Sequence, residues 1–401
     1  LSGKRVLLVV TGGIAAYKSA TLCRLLVKAG AMVRVAMTRA ACEFVTPTTF
    51  AALSDNPVST DLFDPLQEGR IGHIDLADSS DLFVVAPATA NTLARMARGM
   101  ADDLVSTTYL AFRGPVLLAP AMNVHMWQHP ATRENMELLL ARQDHHLVGP
   151  GDGEMACGHV GAGRVAEPEQ ILQAAGACLA AQDLKGVSVL VSAGGTHEAI
   201  DPVRYVGNRS SGKMGFALAA EARARGAEVT LVSGPSALPS PLGVDRVDVE
   251  SAAQMAAAIK ARSRTQDLII MAAAVADYTP RDPWSTKLKK EAAGARLTLK
   301  LDRTEDILAG LGAMDPRPIL VGFAAETVDN LDEVARAKMA AKGCDFLVAN
   351  DVRPADAGFG TDTNRVVIYS AGGGRDPLPV LPKRAVAAKI LDRALGILQK
   401  R

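Results

Sequence analysis

Three groups in the first half of the chain are of the kinds that exchange protons or hold polar substrates. His73 stands in Gly72-His73-Ile74-Asp75-Leu76, Asn123 closes Pro120-Ala121-Met122-Asn123, and Cys157 lies in Ala156-Cys157-Gly158 ahead of Gly161-Ala162-Gly163-Arg164. An imidazole changes charge near neutral pH, and Asp75 with the backbone of a helix start would set its tautomer. Taken singly, each has an inert reading: a lone histidine is a structural hydrogen-bonder, and a lone cysteine is a small hydrophobe. In the second half, Gly207-x-x-x-x-Gly212-Lys213 falls one residue short of a P-loop. Met214 occupies the place of the hydroxyl that would hold magnesium, which excludes a Walker NTPase. A phosphate-handling loop or a solvated turn before a helix remains. Lys338 and Lys342 are spaced i, i+4 and share one helix face, aimed either at an anion or at water.

The elements that must present these groups follow from the apolar runs. Arg5–Val10, Met32–Met37, Leu82–Ala86, Val116–Ala119 and His146–Val148 read as strands, with helices over Ala15–Ala29, Thr92–Arg98, Ala131–Arg142 and Glu169–Gln182. A boundary falls at Asp183–Gly186. The pattern then restarts with strands at Val187–Val191, Val229–Val232, Arg246–Val249, Leu268–Ala272, Ile319–Val321, Phe346–Ala349 and Val366–Tyr369. Its helices are Lys213–Arg225, Ser251–Arg262, Thr304–Leu311, Leu331–Lys342 and Pro382–Gln399. Alternating strands and helices predict an α/β protein of two doubly wound Rossmann-like domains, 1–183 and 184–401. Each has a mainly parallel sheet flanked by helices, with ligands beyond the strands' carboxyl ends.

Small residues close the first turn of each half, Thr11-Gly12-Gly13-Ile14-Ala15 and Ser192-Ala193-Gly194-Gly195-Thr196. In the first, a phosphate would sit on the Gly13–Ala15 amides with the Thr11 and Thr38 hydroxyls beside it. The G-x-G-x-x-G spacing of dinucleotide folds is absent there. Gly151-Asp152-Gly153 and Ala156 match G-x-G-x-x-A, but no helix follows. Pro280–Lys290 and Gly358–Asn364 read as functional loops.

The chain has 401 residues, 48% of them hydrophobic and 22% charged, with net charge +1. That is ample core, and no global field to recruit nucleic acid. Five cysteines without C-x-x-C argue against a disulfide or zinc framework and for a reducing compartment. No apolar run spans a membrane and no leader precedes the first strand, so a cytoplasmic protein is expected. The opening Leu1 is read as a trimmed terminus.

GGIAAYK at 12–18, GHIDL at 72–76, APATAN at 86–91, PAMN at 120–123 and ACGHVGAGR at 156–164 together resemble the flavin-dependent cysteine decarboxylases. SAGGT-x-E-x-IDPVR from 192, SSGKMG at 210–215, AAAVADY at 272–278, GFAAET at 322–327 and AND at 349–351 resemble phosphopantothenoylcysteine synthetase. In this order the motifs resemble the bacterial bifunctional coenzyme A biosynthesis family, over essentially the whole chain. The resemblance implies that CTP-dependent ligation of 4'-phosphopantothenate to L-cysteine, through an acyl-cytidylate, precedes FMN-dependent decarboxylation of the product to 4'-phosphopantetheine.

For the decarboxylase, the resemblance implies His73 as base, Asn123 as the holder of the departing carboxylate and Cys157 as the proton donor that completes reduction. Gly12, Gly13, Ile14, Thr38, Thr89 and Ser106 would line FMN. For the ligase it implies Asn208 and Arg204 on the acyl intermediate and Lys287 closing on the nucleotide. CTP would contact Met271, Ala272, Ala273, Asp277, Glu305, Asp306, Ile307, Leu308, Phe323, Lys338 and Lys342, with Asp277 also a ligand of Mg2+. The Glu291–Arg296 turn is a residue shorter than the family pattern, which loosens the alignment of Glu305–Leu308. Family decarboxylases form trimers and the ligases dimers, implying a homo-oligomer, a dodecamer, with no nucleic-acid or membrane partner. Two other classes stand against this reading. A pair of NAD(P) oxidoreductase domains lacks the acidic residue required after G-x-G-x-x-G. A regulatory flavoprotein without catalysis, such as the phosphatase-inhibiting relatives of this fold, would have lost or reused His73, Asn123 and Cys157.

Overall fold

The computed structural model describes residues 1–62, 72–154, 160–289, 297–326, 330–351 and 360–400. The chain divides into two compact units, Leu1–Ala180 and Ala181–Arg401.

In the first unit, six parallel strands form one sheet: β1 (Arg5–Val10), β2 (Met32–Met37), β3 (Val58–Ser59), β4 (Leu82–Ala88), β5 (Val116–Pro120) and β6 (His145–Leu147). Their order is β3-β2-β1-β4-β5-β6. Burial on both faces explains the continuous apolar runs. Along β1, Val6, Leu8 and Val10 enter one core cluster while Leu7 and Val9 enter the other. Helices Ala16–Lys28 and Pro168–Cys178 contribute to the first cluster, and Ala90–Arg98, Leu104–Ala111 and Pro130–Leu140 to the second.

The second unit repeats this order. In chain order its parallel strands are Ser188–Ala193, Glu228–Ser233, Asp245–Asp248, Leu268–Met271, Ile319–Glu326 and Phe346–Asp351. They lie third-second-first-fourth-fifth-sixth across the sheet, and Val366–Ser370 and Arg375–Pro377 add an antiparallel edge. Val189, Val191 and Ala193 face one cluster and Leu190 the other. In each unit the order reverses between the first and fourth strands. Chains leave in opposite directions there and open a crevice at the strands' carboxyl ends.

The expected α/β class with parallel sheets flanked by helices is what the molecule has. Several elements were not expected. Helix Pro47–Ser54 and helix Leu104–Ala111 carry β-branched residues that masked their period. The glycine-rich run around Gly151 and Gly161 folds as a hairpin, Gly151–Glu154 with Val160–Arg164. The helix expected over Thr304–Leu311 starts at Ile307, because the Asp306 carboxylate caps it by accepting from the Ala309 N–H at 3.0 Å. No helix among the described residues is long and apolar enough to cross a membrane.

Candidate active sites

A cavity of 1310 Å³ opens at the crevice of the first unit, lined among others by Gly12, Gly13, Ile14, Ala15, Thr38, Thr89 and Asn123. Close packing of two βα turns builds its floor. A Cβ on Gly12 would lie 2.4 Å from the Ala40 Cβ, so only glycine lets the β1 turn approach the one after β2. Thr38 ends β2, donates its N–H to Val10 O at 3.0 Å and caps the following turn through Ala41 N at 3.3 Å. Helix Ala16–Lys28 begins at this floor. Among the described residues, the amides of Gly13, Ile14 and Ala15 donate to no protein acceptor. Three bare N–H groups at the start of a thirteen-residue helix are a ready seat for a phosphate.

Thr89 and Asn123 arrive by the same device, each closing a strand and capping the next helix. Thr89 Oγ1 accepts from Thr92 N at 3.5 Å, and Asn123 Oδ1 accepts from His125 N at 2.8 Å. Ala121 N donates to Ala88 O at 3.1 Å and Met122 N to Gly163 O at 3.0 Å, gathering β4, β5 and the hairpin around Asn123.

Other expected residues are placed differently. Thr11 is fully buried and its hydroxyl donates to Pro87 O at 2.6 Å, so it ties β1 to β4 instead of facing a phosphate. Ser106 is 1% exposed and is consumed in a capping box with Asp103, donating to Asp103 Oδ1 at 2.7 Å. Asp103, not Ser106, is the member of that pair that lines the cavity. His73 sits in the first turn of helix Gly72–Asp78 with Nδ1 buried and without a hydrogen-bond partner among the described residues. Asp75 does not serve it: its carboxylate pairs with Arg34 Nη1 at 2.8 Å. His73 is not among the described residues that line this chain's cavity.

Cys157 lies outside the described residues. The four described cysteines are poor proton donors, since burial pushes Cys23 and Cys344 up to about 11, Cys178 up to about 12, and Cys42 upward as well.

The second unit carries a cavity of 960 Å³ at the matching place, lined by Asn208–Gly215, Met271–Tyr278, Arg303–Leu308, Phe323, Lys338 and Lys342. Three hydrogen bonds shape the Ala272–Ala276 segment against the first strand: Ala273 N to Ser192 Oγ at 3.1 Å, Ala274 N to Gly194 O at 2.8 Å, and Ala276 N to Thr196 Oγ1 at 2.9 Å. Asn208 reaches the same segment, its Nδ2 donating to Val275 O at 2.9 Å. Gly212, at φ +76°, turns the chain into helix Lys213–Ala224, so the near P-loop does deliver a helix N-terminus to the cavity.

Positive charge rings this space. Lys342 pairs with Asp306, and Lys213 donates to Gly360 O at 2.8 Å and to Asp362 at 2.7 Å. Burial works against the Asp306 charge, yet the Lys342 ammonium and the Ala309 N–H hold its carboxyl below the usual range. Lys383, a lining residue the motifs did not reveal, is 9% exposed and donates to Thr363 O at 2.9 Å. Burial first, then the Lys213 charge, pulls its pKa down.

Asp277 is exposed at the rim. No cluster of three or more His, Cys, Asp or Glu able to hold a metal occurs among the described residues. Lys287 and Arg204 do not line the cavity. Arg204 Nη1 instead bonds Asp201 Oδ2 at 2.9 Å and Leu288 O at 3.1 Å. The Glu291–Arg296 turn lies outside the described residues.

The family described as Flavoprotein matches residues 1–179, and the DNA/pantothenate metabolism flavoprotein C-terminal domain matches residues 184–397. The coenzyme A biosynthesis bifunctional protein CoaBC of Bacillus subtilis is 48% identical over 99% of this chain and 98% of its own length. That of Escherichia coli K12 is 47% identical over 98% of this chain and 97% of its own. Among solved structures, the C-terminal domain of a CoaBC is 41% identical, covers 55% of this chain and all of that one, and superposes with a TM-score of 0.48.

Proposed function

We infer, from the premise that this chain belongs to the coenzyme A biosynthesis bifunctional protein CoaBC family, that its two cavities carry out successive steps on one substrate. The protein combines a phosphopantothenate–cysteine ligase with a phosphopantothenoylcysteine decarboxylase and uses FMN. Residues 184–401 act as the ligase and residues 1–183 as the decarboxylase. The division is supported by the flavoprotein family matching residues 1–179 and the DNA/pantothenate metabolism flavoprotein C-terminal domain matching 184–397, and each unit opens a cavity with a helix N-terminus that suits a phosphorylated ligand.

In the ligase cavity a carboxylate must be activated before an amine can attack it. The 4'-phosphopantothenate carboxylate attacks the α-phosphorus of CTP, pyrophosphate leaves, and the L-cysteine amine displaces CMP. Such chemistry needs positioned cations more than covalent groups. Lys338, Lys342 and Asn208 line the cavity, the lysines holding the triphosphate and Asn208 the acyl-cytidylate. Lys287 and Arg204 stand outside it and reach in once nucleotide is bound, Lys287 onto the triphosphate and Arg204 onto the acyl-cytidylate. Met271–Ala273, Glu305–Leu308 and Phe323 flank the nucleoside. Asp277 would hold Mg2+, which would neutralise charge on the triphosphate, a mode that needs no protein cage.

In the decarboxylase cavity the free Gly13, Ile14 and Ala15 amides hold the FMN phosphate, with Gly12, Thr38 and Thr89 shaping the walls. Bound FMN supplies a reversible two-electron acceptor for the cysteinyl carbon. Asn123 orients the departing carboxylate without a charge that would anchor it, and Cys157 returns a proton to the enethiol. His73, which does not line the cavity of its own chain, removes a proton from the cysteinyl group where a neighbouring subunit brings it to that cavity. Ile14, Tyr17 and Met126, at 63%, 60% and 50% exposure on the cavity rim, are apolar surface that a neighbouring subunit would cover. Decarboxylase trimers joined through ligase dimers, a dodecamer working in the cytoplasm, complete the reading.

Omitting cysteine isolates the first half-reaction. Protein mixed with CTP, Mg2+ and 4'-phosphopantothenate is expected to release pyrophosphate in a single stoichiometric burst, and adding cysteine then starts turnover. The same burst with ATP, or none with CTP, would refute the assignment of the second cavity.

A further inference from the structure

Lys287, assigned above to the triphosphate, belongs to a loop that is fastened on either side of it. Upstream, Trp284 N donates to Ile200 O at 2.9 Å. Downstream, both backbone groups of Leu288 are held: its N–H by Asp201 Oδ2 at 3.2 Å and its carbonyl by Arg204 Nη1 at 3.1 Å. Arg204 Nη1 also bonds Asp201 Oδ2 at 2.9 Å, so carboxylate, guanidinium and the Leu288 peptide groups form one closed clamp. Ser285, Thr286 and Lys287, between the two fastenings, are exposed.

The two oxygens of Asp201 do separate things. Oδ1 accepts from Val203 N at 2.7 Å and Arg204 N at 2.8 Å, which closes the local turn. A turn-forming aspartate needs no more than that. Oδ2 points instead to Leu288, 87 residues further along the chain. The side chain is fully buried, so these are structural bonds and not a passing surface contact.

We infer that Asp201 is a positioning residue of the ligase reaction, holding the stem from which Lys287 reaches the nucleotide. This rests on the role given to Lys287 above. A long flexible ammonium side chain loses less freedom on binding when its backbone is already fixed. Arg204 shares this duty through the same clamp.

Asp201→Asn separates the two duties of the side chain. The amide keeps an oxygen for Val203 N and Arg204 N and places an N–H where Oδ2 accepted, so the turn stays and the clamp opens. For the two-unit chain, kcat/KM for CTP is expected to fall roughly tenfold, the loss of one charge-assisted bond. Tryptic cleavage of the Lys287–Leu288 bond, followed by mass spectrometry, should quicken by roughly the same factor because the scissile backbone is released. Decarboxylation of supplied 4'-phosphopantothenoylcysteine should not change.

In a Lys287→Ala background, Asp201→Asn should cost clearly less than in the wild type, since most of its effect passes through the lysine and only the released Arg204 remains to be felt. An equal loss in both backgrounds would overturn the proposal, as would wild-type proteolysis and CTP dependence in Asp201→Asn. If that variant does not fold, Arg204→Gln removes the donor to Leu288 O while leaving Asp201 Oδ1 in place. Faster cleavage at Lys287–Leu288 then supports the clamp and unchanged cleavage overturns it. A fully active Lys287→Ala would sink the assignment of Lys287 itself, and the positioning role with it.

Discussion

Asn208→Asp is expected to lower CTP-dependent ligation on the order of a thousandfold while leaving decarboxylation at its wild-type rate. Asn208 donates from Nδ2 to Val275 O at 2.9 Å, so its amide plane is set by the segment that carries Met271–Asp277. A carboxylate in its place turns an oxygen toward that carbonyl and brings negative charge into a cavity that must accept a triphosphate. Losing one preorganised donor at a reacting centre costs about 10²–10³ in rate, and the like charge adds to it. Initial rates of pyrophosphate release, with 4'-phosphopantothenoylcysteine decarboxylation measured on the same preparation, check it. Ligation within tenfold of wild type would remove Asn208 from the reaction.

Gly12→Val is expected to give a colourless protein whose affinity for FMN falls roughly tenfold to a hundredfold, from an overpacking cost of about 1–3 kcal/mol. The reason is local: a Cβ on Gly12 meets the Ala40 Cβ at 2.4 Å and the Ala40 carbonyl carbon at 2.9 Å. The turn must withdraw from its neighbour, and the Gly13–Ala15 amides withdraw with it. Visible absorbance of the purified protein and quenching of flavin fluorescence on titration measure the effect. Pyrophosphate release by the ligase unit should be unaltered. A yellow variant with full affinity would show that the phosphate does not sit on these amides.

Apolar runs and glycine turns made the two sheets legible because strands buried on both faces leave nowhere for polar residues. The lining positions nearest those turns, Gly12, Gly13, Thr38 and Asn123, were legible for the same reason, each following the end of a strand, whereas Thr89 came only from the family resemblance. What stayed hidden depends on pairings far apart in sequence or on competing local bonds. Nothing near Asp201 announces Leu288, and Lys383 begins a helix without any motif to mark it as a cavity residue. Ser106 carried a readable signal, Asp103 three residues before it, which is the spacing of a capping box and explains why its hydroxyl is occupied. Thr11 looked like a phosphate ligand because it precedes the glycines. The Pro87 carbonyl, 76 residues away, takes its proton instead. His73 was readable as a helix-start histidine, but that it does not line the cavity of its own chain is a matter of tertiary placement.

The central claim is that one polypeptide makes an amide in its second unit and then removes the carboxylate of that product in its first. The most direct measurement supplies CTP, Mg2+, L-cysteine and 4'-phosphopantothenate to the FMN-loaded protein and follows pyrophosphate and carbon dioxide together. One carbon dioxide is expected for each pyrophosphate once the intermediate has accumulated, with 4'-phosphopantetheine as the organic product. Pyrophosphate without carbon dioxide, or carbon dioxide without dependence on CTP, would contradict the account.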